Sequence, residues 1–160
     1  MHNLAVEYPR NLQSLFIPGR MPGLNEIIEA AGTRKGKWNA YMTLKSKWGD
    51  VIAAHARIQR FAEVKDGHFT YLFEEPDRRR DPSNVIAGGV KLIEDALQEA
   101  GLLANDGWGE VLSIRPYFTV GEREFVGTSV WITPDEPLTF EEAVHEHGKN
   151  RMKGMPRGRK

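Results

Sequence analysis

Residues 77–108 read DRRRDPSNVIAGGVKLIEDALQEAGLLANDGW, and the spacing of apolar and polar residues in this stretch decides how the rest of the chain is arranged. Side chains advance by about 100° per residue around an α-helix, so positions three, four or seven apart share a face. Ile86, Val90, Ile93, Leu97 and Ala100 recur at that spacing and form an apolar stripe of the kind that faces a core. Asn84, Gly88, Lys91 and Asp95 form a polar stripe opposite, the last three within roughly 40° of the first. Pro82 suits the first turn, Ser83 is able to cap it, and Gly101 is able to end the helix in the left-handed conformation. Gly88 and Gly89 each cost on the order of 1 kcal/mol relative to alanine in a helix interior. Gly88 lies on the polar stripe itself, where it leaves room for another backbone or a phosphate chain.

Working outward, Gly67 to Phe73 is rich in β-formers, with Phe69, Tyr71 and Phe73 alternating on one side. Val111 to Val120 and Phe125 to Thr133 read as two further strands, and Gly121-Glu122-Arg123-Glu124 between them is a hairpin signal. Ser14 to Ile17 is a short strand closed by Pro18-Gly19, and Asn25 to Ala31 is able to form a short helix. The longest helix runs from about Trp38 to Phe61, with Trp38, Tyr41, Leu44, Trp48, Val51 and Ile52 on one stripe. The order of main elements is β-α-β-α-β-β, an α/β (α+β) class with a small mixed sheet and packed helices. Residues 1–134 make the body. Residues 135–160 hold a short acidic helix around Phe140 to Val144 and then a basic tail, Lys149, Arg151, Lys153, Arg157, Arg159 and Lys160, of the composition that stays flexible.

Chemistry concentrates at the two ends and on the polar stripe of the central helix. Asp81 precedes the helix and Asp106 follows it. If the strands flanking the helix are neighbours, the two carboxylates converge on a hard divalent cation such as Mg2+, which takes oxygen ligands and activates water against a phosphodiester. Lys91 then stabilises the phosphorane or the leaving oxygen. Arg78, Arg79 and Arg80 match phosphate geometry bidentately, or form a charged loop paired with Glu74 and Glu75. Taken singly, Asp81 is a helix cap, Asp106 a turn residue and Asp95 an ion-pair partner of Lys91 one turn away. Trp108 reads as a core anchor or interface residue before a base-stacking platform.

At these residues the chain resembles the RusA-like family of Holliday-junction resolvases. The matching elements are Asp77-Arg78-Arg79-Arg80, the turn Asp81-Pro82-Ser83-Asn84, Lys91, Asp95-Ala96-Leu97, and Leu103-Ala104-Asn105-Asp106-Gly107-Trp108. The resemblance covers residues 14–134. It implies a homodimeric endonuclease, dependent on Mg2+ with Mn2+ as a substitute, that introduces paired nicks in branched, four-way DNA. By position, Asp81 and Asp106 match catalytic, metal-binding aspartates and Lys91 the catalytic lysine. Arg80 and Asn84 match residues around them, and the proline-bounded Asn25 matches a loop that approaches the site. Three departures stand out: Ser83 where the family has a second aspartate, a seven-residue interval from Asn84 to Lys91, and Asn105 where a pair of aspartates is common. Serine is a poor Mg2+ ligand, so the site is weakened, borrows Asp77 or Asp95, or has lost cleavage.

Composition narrows the classes. With 160 residues and 40% hydrophobic content the chain supports one core. It has no cysteine, which excludes disulfides, zinc-thiolate sites and cysteine nucleophiles. No apolar run approaches the roughly 20 residues of a membrane span, and no signal-peptide pattern begins the chain; a cytoplasmic setting is expected. The 22 basic and 22 acidic residues cancel, so a nucleic-acid partner has to be held by local patches. Three functions stay open: a Mg2+-dependent junction endonuclease, a junction-binding protein without cleavage, and a non-enzymatic interaction domain.

Overall fold

The computed structural model describes residues 13–32 and 37–154. The sequence readings at the Trp38 side chain and at Arg157, Arg159 and Lys160 fall outside the described residues. The elements are β1 (Gln13–Pro18), α1 (Leu24–Gly32), α2 (Lys37–Ile58), β2 (Gly67–Glu75), α3 (Pro82–Glu99), β3 (Val111–Val120), β4 (Gly127–Thr133) and α4 (Phe140–Arg151), followed by a short 3-10 turn at Met152–Gly154. The four strands form one mixed sheet in the order β1-β4-β2-β3, the class expected from the sequence.

β2 and β3 pair in parallel, joined by α3 as the crossover, while β4 runs antiparallel to both β2 and β1. The hairpin read from Gly121 to Glu124 does not form. β2 lies between β3 and β4, so this connection passes over the end of the central strand. A turn signal reports that the chain reverses and says nothing about which strand it reverses onto. The central position of β2 explains its composition: Phe69, Tyr71 and Phe73 pack with the α3 layer, and Leu72 packs with Trp131, Leu138 and Ala143 on the other side. Both faces are covered, so the strand is buried at every position but His68 rather than alternating.

α4 is that second cover. Thr139 and Glu142 form a reciprocal capping box at its start, and the Asn150 side chain donates to the Leu15 carbonyl at 2.9 Å. Lys149 and Arg151 therefore belong to a packed helix and not to a tail. α3 ends as read, with Gly101 at φ +74, Gly101 N–H on Gln98 O and Leu102 N–H on Leu97 O, the bond pattern of a Schellman stop. Its start differs: the N-cap is Asp81, whose side chain makes no capping bond, with Pro82 next. Ser83 lies one residue further in, inside the first turn. The buried arc of α3 is also wider than a stripe, adding Val85, Leu92 and Ala96, because α1 and α2 pack on the side that the sheet leaves open.

The two glycines on α3 serve separate contacts. A Cβ on Gly88 would come within 2.5 Å of the Pro22 carbonyl and Gly23 backbone, and one on Gly89 within 2.6 Å of the Phe73 ring. The close approach foreseen at Gly88 is thus made by the chain's own β1–α1 loop.

Candidate functional site

The site residues fall into two groups along α3. At the helix start, Glu75 ends β2, and its carboxylate receives Arg80 Nε at 2.6 Å and Arg20 Nε at 3.4 Å. Arg80 also reaches Glu26 of α1 at 3.2 Å, and its side chain is only 11% exposed. Burial works against the Arg80 charge, and the bonds to Glu75 and Glu26 more than offset it, holding the guanidinium above its ordinary pKa. Arg80 is therefore a strut between β2 and α1; of its two readings the structure bears out pairing with Glu75, and it does not leave the guanidinium free for phosphate. Asn84 is likewise engaged, its Oδ1 accepting the Asn25 backbone N–H at 2.8 Å. Asn25 does approach the helix start, as the N-terminal loop was expected to do. Arg78 and Arg79 remain exposed. Arg79 pairs only loosely with Asp77, at 3.8 Å, and Asp77, bonded by the Arg79 N–H and flanked by Arg123, is held below the usual carboxylate range.

The second group lies further along the helix. Lys91 Nζ sits 3.0 Å from Asp95 Oδ1 and 3.0 Å from Asp106 Oδ2. The two hydrogen bonds raise its pKa, and Lys91 in turn lowers that of Asp106. The 62% exposure of the Lys91 side chain shows that this group faces solvent. Behind it lies Glu94, which the sequence reading passed over. It is 5% exposed, its Oε1 has no hydrogen-bond partner, and burial together with the Asp106 charge pushes its pKa up to about 7. The fully buried Tyr71 hydroxyl also lacks a partner and is raised by burial and by Glu94. A signal for Glu94 was present: it sits about 80° off the polar stripe on the helical wheel, on the shoulder it shares with Val90.

These groups do not meet within one chain. Lys91 is ten residues beyond Asp81, about 15 Å along a helix rising 1.5 Å per residue. Asp106 bonds Lys91 and also Gln98, so its carboxylate lies at that level or further. Mg2+ holds its oxygens at about 2 Å; Asp81 and Asp106 of one chain therefore do not fit a single ion. The condition set for their convergence, neighbouring strands, is met, yet in a parallel crossover the loops before and after the helix lie at opposite ends of the sheet. Ser83 is exposed beside Asp81. Among the described residues no group of three or more His, Asp or Glu side chains is arranged to hold a metal.

Three further features bear on function. A cleft of about 430 Å3 opens at the C-terminal ends of β2 and β3, beside the start of α3. Trp108 is 94% exposed, which removes the core-anchor reading and keeps the interface one. On the α4 side, Ser129 Oγ lies 2.5 Å from His147 Nδ1, and His147 Nε2 is 3.5 Å from Glu74, which Arg151 also binds. Its members resemble a hydrolytic triad in type, but Ser129, His147 and Glu74 are all buried. Burial raises the Glu74 pKa, and the bonds from His147 and Arg151 outweigh it and leave the group lowered. The trio fastens α4 to the sheet. Among the described residues no helix is long and apolar enough to cross a membrane. No protein-family model matches the chain, and no curated protein matches it.

Proposed function

We propose that the chain is an endonuclease of the RusA-like type that nicks branched DNA as a homodimer and requires Mg2+ or Mn2+. The observation that carries this reading is the solvent-facing cluster of Lys91, Asp95 and Asp106 together with the buried Glu94, one oxygen of which has no partner. An i,i+4 pair needs one acid. This cluster sets two carboxylates on one ammonium and keeps a third, Glu94, buried on the same helix at a cost to stability, an arrangement typical of sites rather than of scaffolds. Lys91 is poised to hold a phosphate oxygen, and Arg78 and Arg79 to track the strand. Asp81 of one copy reaches Asp106 only in a second copy, so the cation requirement and the dimer are one proposal. Two-fold pairing also supplies the symmetry that paired nicking needs.

A mixing experiment tests it. Asp81→Asn and Asp106→Asn are each inactive on a labelled four-way junction with Mg2+. Co-refolded, they regain single-strand nicking, because half of the mixed dimer's sites then keep both aspartates. Absence of nicking in the wild type, with the junction still bound, would favour the second reading, a junction-binding protein. Exposed Ser83, two residues after Asp81 where the family has a carboxylate, is the observation behind that alternative.

A further inference from the structure

We infer that the cleft at the end of β2 and β3 is a seat for one unstacked nucleotide of the DNA. The inference rests on the nucleic-acid reading above and adds a binding site to it. The cleft lining is apolar at Phe140, Phe118 and Val120 and polar at Glu75, Asp77 and Arg78. Phe140 is 48% exposed at the first position of α4, yet it is not loose. It meets the Tyr117 ring edge-on at 5.5 Å, and Tyr117 is fixed by its hydroxyl bond to the Leu138 carbonyl at 2.8 Å. Phe118 is backed by Phe73, ring centroids 5.6 Å apart. Phe140 thus presents a ring that is held in place and about half exposed at the mouth of the cleft, while Phe118 packs partly into the core behind it.

The polar part of the lining suits the polar edge and phosphate of the same nucleotide. Asp77, whose side chain is partly exposed, accepts from the amino group of a base, and Arg78 donates to a phosphate oxygen. The position agrees with the general placement of ligands at the C-terminal ends of parallel strands, near a helix start. The volume falls in the range of pockets for small organic ligands, too small for a duplex and sufficient for one nucleotide. Branched DNA supplies such a nucleotide, because base pairs at a branch point are the least costly to open.

Three probes in EDTA, so that no cleavage occurs, test the site: a four-way junction, a matched linear duplex and a single-stranded mixed-sequence decamer. Phe140→Ala is expected to weaken junction and decamer binding by between about 5- and 100-fold, the range for loss of a base-stacking ring. Duplex binding stays unchanged, and Phe140→Trp restores the affinity. Equal junction affinity for wild type and Phe140→Ala would overturn the nucleotide seat and leave the junction reading intact. Phe140-dependent decamer binding without preference for the junction would overturn the junction reading and support the seat. Wild-type protein that binds none of the three probes would overturn both. Circular dichroism and a urea midpoint on each variant confirm that α4 stays docked.

Discussion

Glu94→Gln tests the most informative side chain in the cluster. The carboxyl is 5% exposed, has one oxygen without a partner, and has its pKa pushed up to about 7 by burial and by Asp106. In the unfolded chain it titrates near 4.5, the ordinary value. Between these two values the folded protein holds a proton that the unfolded chain releases, so stability falls as pH rises from about 4.5 to 7 and then levels off. A pKa unit is worth about 1.4 kcal/mol, which makes the full loss about 3 kcal/mol. Glutamine keeps the shape and cannot ionise. The variant should match wild type at pH 4.5 and exceed it by about 2 to 3 kcal/mol at pH 8.5, read as a difference in urea midpoints at constant slope. Other titrating groups are common to both proteins and largely cancel in the comparison. An equal gain at both pH values, or none at pH 8.5, would refute the account of a buried acid that folds protonated.

Other outcomes follow from the same structure. Lys91→Met should lower nicking by roughly 100- to 1000-fold, the loss seen when one charge-stabilising donor is removed, with junction affinity in EDTA nearly unchanged. Its stability cost should stay below about 1 kcal/mol, because the ion pairs are exposed; a larger shift in the urea midpoint would assign Lys91 to the scaffold. Ser83→Asp should raise the nicking rate, since it adds a carboxylate beside Asp81; a folded variant with no gain would clear Ser83 as the weak point. Gly88→Ala should destabilise by about 1 to 3 kcal/mol because backbone, not a flexible side chain, fills the space. Gly148→Ala, in α4 with nothing within 4 Å, should stabilise by up to about 1 kcal/mol, and thermal melts of the two variants should move in opposite directions.

Local rules carried much of the fold. The 3.6-residue period, Pro82 and Gly101 located α3 almost to the residue, and β-rich runs located all four strands, because each depends on a residue's near neighbours in sequence. The polar stripe likewise put Lys91 and Asp95 on one face before any coordinates. Sequence alone did not reach the facts that depend on which surfaces meet. It did not show that β2 separates β3 from β4, that α4 runs on to Arg151 as a packed helix, or that Arg80 ties Glu75 to Glu26 of α1. Nor did it show that Asp106 reaches Lys91, which the crossover helix carries about 15 Å along its axis from Asp81. Spacing along a chain fixes the direction in which a side chain leaves its own helix or strand. Whether that direction ends in solvent, in a salt bridge or in a core is decided by the element packed against it, and that element comes from elsewhere in the sequence.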